Sequence, residues 1–315
     1  MELIHGMSAS LRWLARHAAV LLAVGVFAGL ALPPLATLLR PLLVPAISLT
    51  LVVTIARLDW QAMAGHGRRV GLIALVTGWL LLVSPVVVWL VADALGAPAA
   101  LVTALTLMAA APAIMSAPAF ALILGLDAPL AVVVVTVATL ATPFTLPPVA
   151  LALLDLDLGI GLAELMLRLA AIIGGTFAAA YLFKRLAPAG WIAARTAELD
   201  GVAVVALLVF AVGIMDGVTA RLIERPGFVM LCIAAAFAAN LALQAAGTLI
   251  FSATGMSRAL TLGFASGNRN MGLVLAVLAD KADFDVVVFF AVGQLPMYIL
   301  PALLRPLYRR LMREG

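Results

Sequence analysis

The chain has 315 residues, 65% of them hydrophobic and only 11% charged, with a formal net charge of +4. A soluble globular domain is about 45–50% apolar and about 25% charged. This chain cannot cover a folded surface with polar groups, so lipid must be its main solvent, and the small basic excess belongs to membrane-protein loops rather than to nucleic-acid binding.

A spanning helix needs about 20 mostly apolar residues. Ten such runs are predicted, at 17–34, 37–56, 69–93, 98–124, 128–153, 161–186, 199–218, 227–252, 257–279 and 284–308. Arg12 and Arg16 precede the first run, as in a signal peptide. The run leads straight into a second span without a small-residue cleavage site, so it reads as a retained helix. Charged and turn-forming segments separate the runs, including 57–69, 155–159, 184–200 and 280–285. With the N-terminus in the cytoplasm, 13 of the 19 basic residues fall inside, among them Arg57, Arg68, Arg69, Lys184, Arg185, Arg258 and Arg305. Asp93, Asp155, Asp157, Asp280, Asp283 and Asp285 fall outside. The bias predicts an N-in, C-in integral membrane protein.

Ten spans divide into two repeats of five, residues 1–156 and 157–315. An odd number in each makes the second repeat enter from the opposite side, an inverted repeat. The fourth and ninth spans hold equivalent places, and both are interrupted. The fourth reads LMAAAPAIMSAPAFALILGLD (107–127), where Pro112 and Pro118 each remove an amide hydrogen and clash with the preceding turn. The ninth, GFASGNRNMGLVLAVLAD (263–280), carries Asn268, Arg269 and Asn270 in a row. Irregular backbone at membrane depth is tolerated only beside protein or a watery cavity. The predicted fold is therefore all-α, with two discontinuous helices crossing at mid-membrane.

An arginine at the bilayer centre costs about 2.5–3.5 kcal/mol on insertion scales, which excludes a lipid-facing Arg269. Two roles remain open to it, and they are compatible. One is capping the carbonyls that the breaks set free; the other is attracting an anionic substrate. The half-helix N-termini add partial positive charge. Candidate lining residues are Asn268, Asn270, Ser116, Pro112 and Pro118. Asn240 and Gln244, at i and i+4, and Gln294 are further candidates, with bonding to a neighbouring helix as the alternative. Thr136, Thr139 and Thr142 are placed to bond their own i−4 carbonyls. Glu164 and Arg168 are spaced for a local pair. The lone Cys232 reads as a small buried hydrophobe, and His5, His17 and His66 as surface residues. No HExxH, GxSxG or paired aspartate occurs, so neither an enzyme, a metal site nor a cofactor is expected.

In order and spacing, IARLDW (55–60), HGRRVGL (66–72), residues 109–149 and ASGNRNMGLVLAVL (265–278) resemble the bile acid:sodium symporter family. The resemblance covers nearly the whole chain and implies that Thr139, at a family position beside the crossover, is a further lining residue. It implies a core of helices 3–5 and 8–10 (about 69–153 and 227–308) and a panel of helices 1, 2, 6 and 7 (about 17–56 and 161–218). It also implies secondary transport of small organic anions by alternating access, ordinarily driven by two sodium ions. The departures are specific. Leu80, Ala117, Pro118, Ala131, Val135, Ala265 and Arg269 stand where the family has sodium ligands or their supports, and only Asn270 survives. Both sodium sites are thus expected to be absent. In the family, two sodium ions and one glutamate leave a single net positive charge; here Arg269, permanently protonated, supplies it alone. Its planar donors suit a carboxylate or sulfonate in bidentate geometry.

The expected function is a sodium-independent uniporter or exchanger of organic anions in a bacterial inner membrane. Its partners are the substrate and the bilayer, with monomer and homodimer both open. A sodium- or proton-coupled symporter of the same family is the alternative, followed by a receptor-like homologue without transport.

Overall fold

The computed structural model describes residues 2–57, 70–154, 161–278 and 281–314. The calls on Arg68, Arg69, His66, Asp155, Asp157 and Asp280 lie outside the described residues, as does the side chain of His5. No strand occurs among the described residues.

In chain order the helices are α1 (Glu2–Arg16), α2 (Ala18–Ala31), α3 (Pro33–Leu39), α4 (Leu43–Ala56), α5 (Val70–Gly78), α6 (Ser84–Ala94), α7 (Ala99–Ala110), α8 (Ala117–Leu124) and α9 (Ala128–Leu154). They continue as α10 (Leu162–Leu186), α11 (Trp191–Ala194), α12 (Thr196–Gly213), α13 (Val218–Glu224), α14 (Pro226–Ile250), α15 (Met256–Gly267), α16 (Met271–Leu278), α17 (Phe284–Val292) and α18 (Gln294–Glu314). A wide π turn, Trp79–Val83, joins α5 to α6.

Among the described residues, seven helical stretches are long and apolar enough to cross a membrane: Pro33–Ala56, Val70–Ala94, Ala128–Leu154, Leu162–Leu186, Thr196–Glu224, Pro226–Ile250 and Phe284–Arg313. The pair Ser8–Arg16 and Val20–Ala31, bent by 87°, makes an eighth if taken as one span. Two predicted spans fall outside this set because each is cut into short helices: 98–124 is α7 plus α8, and 257–279 is α15 plus α16. Leu122, Leu167 and Leu186 are exposed by 70% or more (73%, 70% and 82%). Such side chains are at home against acyl chains, not water.

The chain forms two compact units, and each joins separate stretches of sequence. The first comprises Met1–Leu58 and Ala171–Pro226. Its centre is α12, which packs against α1, α2, α3 and α4. Ion pairs fix both ends of that helix region: Arg12 with Glu198, Arg57 with Asp200, and Arg40 with Asp216. Exposed pairs of this kind are each worth about 0–1 kcal/mol, so apolar packing, not charge, holds the unit.

The second unit comprises Asp59–Ala170 and Gly227–Gly315. Within it α6 packs on α7, α9 on α8 and α15, α17 on α7, and α18 on α8 and α15. α14 meets α15 through glycine. A Cβ at Gly263 would strike Thr248 Oγ1 and the Gln244 carbonyl oxygen, and one at Gly267 would strike Gln244 and the Asn240 carbonyl oxygen. Backbone-to-side-chain approach this close is available only to glycine. Gly263→Ala is therefore expected to destabilise the protein by about 1–3 kcal/mol, seen as a lowered unfolding temperature in detergent. An unchanged temperature would mean the two helices separate freely.

Candidate functional site: the crossing of two broken helices

α7 stops because Pro112 cannot donate to the turn before it. The residue preceding a proline is pushed out of the helical region, and Ala111 is extended at φ −66, ψ 151. α15 stops at Asn268, also extended at φ −97, ψ 96. The two unwound segments run antiparallel and bond each other. Ile114 N–H donates to the Asn268 carbonyl and Asn270 N–H to the Pro112 carbonyl, both at 2.8 Å. A single β-type bridge pairs Ala113 with Arg269. The breaks thus satisfy part of one another's backbone, as an apolar surround requires.

Arg269 is fully buried, at 0% exposure. Its Nε donates to the Ser266 carbonyl at 2.6 Å, its Nη1 to the Leu80 carbonyl at 2.8 Å and the Ala111 carbonyl at 3.0 Å, and its Nη2 to Ser84 Oγ at 2.8 Å. Four of five N–H groups are used, and no acid pairs with it among the described residues. Each bond from a charged donor is worth about 1.5–3 kcal/mol, so four of them outweigh an insertion cost of about 2.5–3.5 kcal/mol.

The acceptors are free because the local backbone releases them. In the π turn Ser84 N–H bonds Trp79 O instead of Leu80 O. The next residue, Pro85, has no N–H to take its place. Leu80 O is left for the guanidinium. Ser84 Oγ donates its one hydrogen to Leu80 O at 3.0 Å, lies 3.4 Å from Ala109 O, and accepts from Arg269. Trp79 Nε1 donates to Ser266 Oγ at 3.0 Å. Arg269 thereby ties the π turn, the end of α7 and the end of α15 into one cluster.

The other expected site residues divide by what they touch. Asn268 is buried; its amide donates to the Phe264 carbonyl and its oxygen accepts from Asn240. Asn240 also donates to the Gly267 carbonyl at 2.9 Å and accepts from Gln244, which in turn accepts from the Tyr308 hydroxyl. The result is a buried polar chain from α18 to the break in α15. Asn270 caps α16, accepting from Leu273 N–H at 3.1 Å, and is 7% exposed. Ser116 precedes α8 but makes no capping bond with its side chain. Pro118 lies in the first turn of α8, where its missing N–H costs nothing. Thr139 is buried and meets Met115 Sδ at 3.6 Å.

Gln294 is not brought into the Arg269 cluster; it donates to the Phe290 carbonyl and accepts from Tyr298. Thr136 and Thr142 bond their own i−4 carbonyls, and Glu164 pairs with Arg168 at 2.6 Å on an exposed face. Cys232 is buried. Ser84, Trp79, Ser266 and Tyr308 are participants missed by sequence reasoning. The dipeptide Ser84–Pro85 inside an apolar run was the available signal.

No group of three or more His, Cys, Asp or Glu gathers among the described residues. At the positions where the resemblance put sodium ligands, Leu80, Ala117, Ala131, Val135 and Ala265 are buried and apolar. The carbonyl oxygens of Leu80, Ala111 and Ser266 accept from Arg269. The side chains present do not fit a sodium ion.

Long apolar helices, with a backbone broken twice in one buried place and a cation set among the breaks, are those of an all-helical integral membrane protein. The profile of the Sodium Bile acid symporter family matches residues 44–225. The chain belongs to that family. No curated protein matches the chain. α15 and α16 lie beyond the matched residues; the pairing of Arg269 and Asn270, between them, with Ala113 and Pro112 ties them to the α7–α8 break within those residues.

Arg269→Gln strips donors from three buried carbonyls at about 1–3 kcal/mol each. It is expected to lower stability by roughly 3 kcal/mol or more in detergent unfolding. Ser84→Ala, which removes one acceptor, is expected to cost about 1 kcal/mol.

Proposed function

We propose that this protein is a sodium-independent carrier of small organic anions, working by alternating access, with Arg269 as a tethered replacement for the coupling cations. The observation that carries the reading is a fully buried guanidinium with no acidic partner among the described residues. Around it, the positions that would hold sodium ligands are apolar. The wider frame of the proposal is a ten-helix inverted repeat with a core and a panel, N-in and C-in, in a bacterial inner membrane. The carried class is carboxylates or sulfonates, and uniport or exchange follows because a fixed charge cannot be released to draw on an ion gradient.

Electrostatics support an anion at this crossing. The carbonyls of Ala111 and Ser266 belong to the C-terminal ends of α7 and α15, where each helix carries about half a negative charge. Arg269 bonds both, so it neutralises these ends. The N-termini of α8 and α16 keep their partial positive charge. One Nη2 hydrogen remains, which is too few for the bidentate fork expected from the sequence. An anion is then held by that single N–H together with the N-terminal amides and the uncommitted Ser116 hydroxyl. The charge does the attracting and the amides do the orienting.

Proteoliposomes loaded and assayed with a panel of radiolabelled carboxylates and sulfonates test the reading. Uptake and counterflow are expected to change less than about twofold when choline replaces sodium; a requirement for sodium would overturn sodium independence. In the folded fraction of Arg269→Gln, uptake is expected to fall at least tenfold, about 1.4 kcal/mol. Uptake and affinity left intact would remove Arg269 from substrate binding.

A further inference from the structure

The last turns of α18 carry Arg305, Arg309, Arg310 and Arg313, all exposed. Together with Pro306 they line an open groove of about 450 Å³. No acidic residue lines it. Arg305, Arg309 and Arg313 are spaced i, i+4, i+8, so they stack on one face, and like charges at this spacing repel. The helix dipole favours cations only within the final turn, which leaves Arg305 and Arg309 without a reason to be there. Charge bias in loops sets topology, but it does not require four guanidinium groups around one groove.

Apolar side chains flank these arginines on the same helix segment, with Leu307 three residues before Arg310 and thus on its face. Leu303 and Leu307 are 66% and 50% exposed, while Tyr308 is buried against the protein. Leu307 lies beyond Arg305 in the chain, so apolar and cationic surfaces overlap in depth. From Arg305 to Arg313 the helix rises about 12 Å, enough to cross a headgroup layer of roughly 5–8 Å. This lets Leu303 reach the acyl chains while Arg309, Arg310 and Arg313 stand at phosphate level. Guanidinium groups take phosphate in a bidentate manner and are less strongly hydrated than ammonium. Basic clusters directly outside a spanning helix attract anionic lipid.

We propose that this groove binds the phosphate headgroup of an anionic phospholipid at the end of α18. The site is independent of Arg269 and of the transport reading. Tyr308, on the same turns, is the first member of the polar chain through Gln244 and Asn240 to Asn268.

The test is lipid retention by the full-length protein. Protein purified in neutral detergent is titrated with phosphatidylglycerol or phosphatidylcholine, and bound lipid is counted by native mass spectrometry. Phosphatidylglycerol is expected to bind at least tenfold more tightly than phosphatidylcholine. Replacing all four arginines by glutamine is expected to abolish that preference. Should the fourfold variant fail to fold, Arg309→Gln with Arg313→Gln is expected to weaken phosphatidylglycerol by about tenfold. The control pair Lys184→Gln and Arg185→Gln, at the end of α10, is expected to change nothing. Equal weakening by the control pair would reduce the effect to general charge. Displacement of the lipid by millimolar inorganic phosphate would make this a free-anion site, and unchanged binding in the arginine variants would remove the site altogether.

Discussion

The structure depends on how backbone carbonyls are satisfied where two helices are broken inside an apolar surround. Water normally takes up such groups; at membrane depth it is absent, and each unpaired carbonyl costs free energy. Here the solution is one side chain. Arg269 reaches three carbonyls from three separate breaks in helical bonding: a π turn, the end of α7 and the end of α15. The arginine is affordable only because the breaks exist, and the breaks are tolerable only because the arginine is there.

This mutual dependence bears on how the family's chemistry can be altered. A mobile cation bound by side-chain oxygens would leave and return with each transport cycle. A guanidinium bonded to the backbone of its own fold stays. On the proposed reading, the protein trades coupling for a permanent field. The apolar residues at Leu80, Ala117, Ala131, Val135 and Ala265 fit that trade, since oxygen ligands beside a fixed cation would have no ion to hold. Asn270 has a separate reason to remain, because it caps α16.

Around the cluster, polar side chains are consistently used on backbone. Asn268 and Asn240 bond carbonyls of α15 and its break; Ser84 and Ser266 bond carbonyls one turn back and each other's helices through Arg269 and Trp79. Such networks keep a unique geometry when every member is satisfied. Gly263 and Gly267 matter for the same reason: they let α14 come close enough for Asn240 and Gln244 to reach the break.

Much of this was legible in the chain itself. The apolar runs required lipid, Pro112 required the end of α7, and an arginine between two asparagines required a buried place near irregular backbone. Asn240 and Gln244 were read onto one face, and they bond there. The readings that rested on local rules of spacing and proline chemistry are visible because such rules act over a few residues. The partners of Arg269 were not legible. Leu80 and Ser84 are more than 180 residues away, and Leu80 contributes a carbonyl that any residue type would carry. Its availability comes from a shift in hydrogen-bond register that the local sequence only hints at through Ser84 and Pro85. The sequence alone therefore determined that a cation must be shielded from lipid; only the tertiary structure decided that backbone oxygens would do the shielding, because carbonyls become acceptors through geometry and not through identity.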